Sequence, residues 1–99
     1  MKESIKNKFN LEGKVAIITG ASKGIGKSIA KGFIEFGAKV VISSRDQNSL
    51  EEVAKELGQE NILPIQCHVG KDKDIINLVN SVAKTFGRID VLVNNAATN

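Results

Sequence analysis

What most restricts the folds open to this chain is its punctuation: short β-branched runs alternate with apolar stripes of helical period, and glycines mark most of the changes. Val15-Ala-Ile-Ile-Thr19 lies between Gly13 and Gly20. An apolar run of that length, without polar alternation, suits a strand covered on both faces. Ile25, Ile29, Phe33 and Phe36 then recur at helical spacing, and Gly37 stands where a left-handed cap falls. Lys39-Val-Val-Ile-Ser43 reads as a second strand. Leu50, Val53, Ala54 and Leu57 trace a second helix closed by Gly58, with Asp46 or Asn48 as its cap; Asn48 has Glu51 at the capping-box position. Ile62–Val69 follows as a third strand. Ile75, Val79, Val82 and Phe86 give a third helix, starting near Asp72 or Asp74 and ending before Gly87, and Ile89–Asn94 is a fourth strand.

Strands separated by helices form a parallel sheet with right-handed crossovers. Pro64 sits inside the third strand and cannot donate to a ladder, so that strand belongs at a sheet edge. In the doubly wound order 3-2-1-4 the third strand is that edge. The expected fold is α/β, a Rossmann-type doubly wound parallel sheet.

Between the first strand and the first helix lies Thr19-Gly-Ala-Ser-Lys-Gly-Ile-Gly26. Gly20 permits a tight turn off the strand, and Gly24 and Gly26 remove side chains where a phosphate would approach the helix start. Unpaired N–H groups and the positive end of the helix dipole favour an anion there. Three glycines alone often serve turn geometry only. Directly after a strand and before a helix, they meet the structural condition for a dinucleotide site.

Composition removes other classes. The 99 residues contain one His, one Cys and no Tyr, so a phenolic acid or a two-histidine metal site cannot be supplied by them. Fourteen Lys and Arg against eleven Asp and Glu leave a net charge of +3 with both signs interspersed. No concentrated basic stripe with stacking aromatics speaks for nucleic acid. Lys2, Lys6 and Lys8 have no apolar run behind them and nothing approaches the length of a membrane span, so neither a secretory signal nor a membrane partner is expected. Cys67 has no partner within the chain and reads as a small buried strand residue. The expectation is a soluble, cytoplasmic protein.

The spacing Gly-x-x-x-Gly-x-Gly resembles the short-chain dehydrogenase/reductase family, and the resemblance runs over nearly the whole chain. Leu11-Glu-Gly-Lys14 is similar to that family's lead-in, Thr19–Gly26 to its TGxxxGIG motif, and Asp90-Val-Leu-Val-Asn-Asn-Ala96 to its NNAG strand. The resemblance implies that Thr19 ties the first strand to the fourth near Asn95. It implies that Gly20, Ser22, Gly24, Ile25 and Gly26 surround a pyrophosphate and adjoining ribose, with Asn94, Asn95 and Ala96 beside the cofactor ribose. His68 and Val69 fall where the family has Asp-Val against the adenine, and His68 departs from that pattern. Ala97, in place of the last Gly of NNAG, is a second departure. Cys67-His-Val-Gly-Lys71 together with Asn94-Asn-Ala-Ala-Thr98 looks more narrowly like NADP(H)-dependent carbonyl reductases of the dehydrogenase/reductase member 4 type.

Cofactor choice turns on Ser43-Ser-Arg-Asp46. A member preferring NAD would carry an acid near Ser44. Here Ser44 is followed by Arg45, and Lys23 occupies the glycine loop. A guanidinium fork and an ammonium hold a 2′-phosphate that a carboxylate would repel. Asp46 is the competing ribose ligand. NADP(H) is therefore the expected cofactor, with NAD(H) as the alternative.

The family's proton chemistry uses a Ser, a Tyr and a Lys on later elements, the last two as Tyr-x-x-x-Lys. The resemblance therefore implies that residues 1–99 are a partial NAD(P)-binding domain, without the catalytic half or the substrate pocket of a homo-oligomeric carbonyl/alcohol oxidoreductase. An exposed fourth-strand edge, Ile89–Val93, is expected to self-associate. A non-catalytic nucleotide-binding module and a remnant of a decayed gene are the other readings.

Overall fold

Residues 10–68 and 70–95 are described by a computed structural model. Its elements are β1 (Val15–Thr19), α1 (Gly24–Glu35), β2 (Lys39–Ser44), α2 (Gln47–Glu56), β3 (Ile62–Gln66), α3 (Asp72–Phe86) and β4 (Val91–Asn94). The strands form one sheet in the order β3-β2-β1-β4, and every pairing is parallel. Strand order and the alternation of elements agree with the sequence reading. Pro64 aligns with Ile42 on the edge strand β3. Cys67 N–H donates inward to Ser44 O at 2.8 Å, so the two-residue period turns the Pro64 position outward, where no ladder bond is lost.

Each strand sends alternate side chains to opposite faces. Ile18, Val40 and Ile42 meet Ala30 of α1 and Leu50, Val53 and Ala54 of α2, all shut off from solvent. Val15, Ile17 and Val41 meet Cys67 and, on α3, Leu78 and Val82 on the other face. Two helices thus cover one side and one covers the other.

Several boundaries and faces differ from the sequence expectation. β3 ends at Gln66 rather than 69, because the chain turns off the sheet and His68 N–H donates to the Asp74 carboxylate of α3 at 3.0 Å. β4 begins at Val91 rather than Ile89, since the Asp90 carboxylate takes Val15 N–H at 2.8 Å and two nitrogens of Arg88. The cap of α2 is Asp46 and not Asn48, with the carboxylate accepting from Asn48 N and Ser49 N. Ile25, Ile75 and Val79, assigned to buried stripes by period, are 71%, 38% and 41% exposed. α3 seats Leu78 and Val82 against the sheet instead.

Candidate functional site

β1 sends its crossover toward β2 and β3, whereas the chain returns after β3 to place β4 on the other side of β1. The crevice beyond the carboxyl ends of β1 and β4 is therefore the switch point of the sheet, the general location of ligands in open α/β folds. Thr19 and Asn94 are paired at its floor. Thr19 Oγ1 accepts Asn95 N–H at 3.1 Å and lies 3.1 Å from Asn94 Oδ1 and 3.4 Å from Val93 O, so this hydroxyl joins β1 to β4. Asn95 Nδ2 reaches Gly20 O at 3.4 Å.

The turn off β1 needs left-handed backbone at Gly20 (φ 66°) and Gly24 (φ 63°), which favours glycine at both. Gly26 has a packing role as well. A Cβ there would press on the Gly20 carbonyl and lie 2.7 Å from Asn95 Nδ2, so this glycine seats α1 against the turn and the end of β4. Ser22 is half-buried in the turn, while Lys23 and Ile25 are exposed beside the helix start.

The three helix starts are electrostatically unlike. α2 is capped by Asp46, and α3 carries Asp72 and Asp74 in its first turn. α1 has Lys23 at its cap position, no side-chain cap and no acid in its first turn. Its first N–H groups and the positive end of its dipole are left without an acidic side chain of the helix's own first turn, which favours an anion there. That arrangement fits the phosphates of a dinucleotide.

At the end of β2, Ser44 Oγ accepts Asp46 N–H at 3.2 Å. The Asp46 carboxylate is engaged within its own helix, receiving Ser49 Oγ–H at 2.7 Å. The Ser49 hydroxyl, followed by the Ser49 N–H, holds that carboxyl below its usual value. Arg45 is exposed. Gln66 Nε2 donates to Arg45 O at 2.6 Å, and Arg45 Nη1 lies 3.5 Å from His68 Nε2. Neither link has a periodic signal in the sequence; adjacency of β2 and β3 makes both. Burial pushes the Cys67 thiol up, which keeps it protonated and inert. Val69 and Ala96 lie outside the described residues. Among the described residues no group of His, Cys, Asp and Glu could hold a metal ion, and no helix is long and apolar enough to cross a membrane.

Residues 14–99 match the family described as short chain dehydrogenase. The chain is 44% identical over 100 residues to tropinone reductase-like 3 of Erythroxylum coca, covering 99% of this chain and 38% of that protein. A hydroxysteroid dehydrogenase of Escherichia coli superposes with a TM-score of 0.89 at 35% identity, over 94% of this chain and 40% of the other. L-sorbose reductase of Gluconobacter frateurii, solved with NADPH and L-sorbose, gives 0.85 at 40% identity, over 91% and 35%. The chain thus spans well under half the length of these relatives.

Proposed function

This chain belongs to the short-chain dehydrogenase family, and on that premise we propose that it binds NADP(H) as the nucleotide half of an oxidoreductase acting on a carbonyl or alcohol. The observation that carries the reading is the uncapped, lysine-flanked start of α1 at the switch point of the sheet.

The turn amides of Gly20, Ser22, Gly24, Ile25 and Gly26 hold the pyrophosphate and ribose in this reading. Asn94 and Asn95 wall the crevice on the β4 side, and His68 lies toward the adenine end. Thr19 keeps the two walls in register through its hydroxyl. The nicotinamide supplies or accepts the hydride when the cofactor is bound. The 99 residues contain no tyrosine, so their part is to bind and orient. Residues 1–99 then form one part of the NAD(P)-binding domain of a cytoplasmic, homo-oligomeric protein, and the family's Ser, Tyr and Lys come from outside them. Cys67–Lys71 and Asn94–Thr98 favour a carbonyl reductase of the member 4 type within the family.

Selection of NADP(H) over NAD(H) rests on Ser44, Arg45 and Lys23. Engagement of Asp46 in capping α2 supports it, because that acid is then no free ligand for a 2′-hydroxyl. Calorimetric titration of the full chain with both cofactors tests the reading. Tighter NADP(H) is expected by about tenfold or more, the worth of a charge-assisted contact. Tighter NAD(H) would overturn the selection, and binding of neither would overturn the site.

A further inference from the structure

Beside the end of β2 the structure holds a cavity of about 400 Å³, lined in part by Arg45, His68, Lys71, Asp74, Asn77 and Ser81. The hydrogen-bonding state of the His68 ring limits what can enter it. Gly70 N–H donates to His68 Nδ1 at 3.0 Å, so Nδ1 is the ring's acceptor and the neutral imidazole carries its proton on Nε2. This contact depends on glycine, since a Cβ at residue 70 would lie 2.9 Å from His68 Cε1. His68 N–H donates to the Asp74 carboxylate at 3.0 Å, and Lys71 N–H to His68 O at 2.9 Å. The backbone of residue 68 is therefore held from both sides while the ring is held at Nδ1.

Nε2–H then faces Arg45 Nη1 at 3.5 Å. Guanidinium is donor only. With Nε2 protonated, the two donors face each other across 3.5 Å and leave each other unsatisfied, and the group that could accept from both is an anion with more than one oxygen. Gln66 fixes the same junction from below by donating to Arg45 O.

We propose that His68 is a specificity-determining residue for the 2′-phosphate of NADP(H), its Nε2–H closing with the Arg45 guanidinium on the same phosphate. The inference rests on the NADP(H) reading above and deepens it, moving His68 from the adenine to the phosphate. Lys71 adds a second positive charge on the cavity wall. An aspartate at residue 68 would instead take the guanidinium for itself.

The test compares 2′,5′-ADP with 5′-AMP by calorimetry on the full chain, since these probes differ at the 2′-phosphate alone. The unaltered chain is expected to favour 2′,5′-ADP. His68→Asn should cut that margin by about tenfold, the scale of one hydrogen bond to a charged group, while its urea unfolding midpoint reports that the variant is folded. His68→Asp should reduce the margin further, toward that of Arg45→Ala. A margin kept in His68→Asn but lost in Arg45→Ala would overturn the role of His68 and leave the cofactor reading standing. Equal weakening of both probes by His68→Asn would make the residue structural and overturn the role as well. No preference for 2′,5′-ADP in the unaltered chain would overturn the cofactor reading and this inference with it.

Discussion

On the face of the sheet beneath α1 and α2, Ile18, Val40, Ile42, Leu50 and Val53 are closed off from water by two helices that also pack at their flanks through Ile29, Phe33 and Leu57. On the opposite face the same strands meet α3 alone. Leu92 of β4 is 64% exposed there, and Ile75, Ile76 and Val79 of α3 are left partly open. Burying a large aliphatic side chain is worth about 1.5–3 kcal/mol, so the first face carries most of the stability of the described residues. α1 belongs to that face. The uncapped helix start is thus mounted on the firm side of the molecule, whereas β4, which forms the second wall of the crevice, lies at the edge, packs into that side through Val93 and leaves Leu92 open on the other.

The largest expected effect tests that contrast directly. Leu50→Ala should destabilise the full chain by about 2–5 kcal/mol in urea unfolding, the range for emptying a packed leucine site. Leu78→Ala on the α3 face should lose less, because a helix bordered by open side chains can settle into the space. Equal losses would make the two faces equivalent. Gly26→Ala comes next: overpacking at the seat of α1 should cost about 1–3 kcal/mol and should also weaken dinucleotide binding, since the crevice wall at Asn95 must move.

Asp46→Ala should lower the urea midpoint by a smaller step and in a pH-dependent way. The Asp46 carboxyl lies below its ordinary value of 3.8 in the folded chain. Its contribution is therefore complete above that value and is lost as pH falls through the lower folded value. Wild type and variant should differ at neutral pH and converge in acid; a gap that persists below the folded value would mean that the carboxylate is not the cap. Smallest in stability, Leu92→Lys should change unfolding by within about 0.5 kcal/mol, as exposed sites do. It should nevertheless reduce self-association in sedimentation if the β4 edge is the sticky one. A large loss of stability in this variant would show that the α3 face is better covered than its exposure indicates.

Much of the architecture was legible in residues that obey local rules. Pro64 fixed an edge, glycines marked the turns, and four β-branched runs gave the strands. Period alone failed where its answer depends on what covers a face. Ile75 and Val79 lie at helical spacing with Val82, yet the sheet takes Leu78 and Val82. The ends of β3 and β4 were misplaced because side chains end these ladders, Asp74 taking His68 N–H and Asp90 taking Val15 N–H. At the site, the glycine turn and the asparagine pair stand out as motifs. The junction of Arg45, Gln66, His68 and Gly70 does not, because its members meet only when β2 and β3 align in the sheet.

Thr19 and Asn95 stand 76 positions apart and meet in one hydrogen bond. Half of the crevice is thus complete when the first quarter of the chain is ordered, and the other half waits for the last described strand. Closing contacts of such separation is slow compared with forming the turn and α1. A ligand that needs both walls recognises the finished state alone, and by mass action it holds that state together. Its affinity is then a direct readout of how firmly the beginning and the end of the sheet are joined.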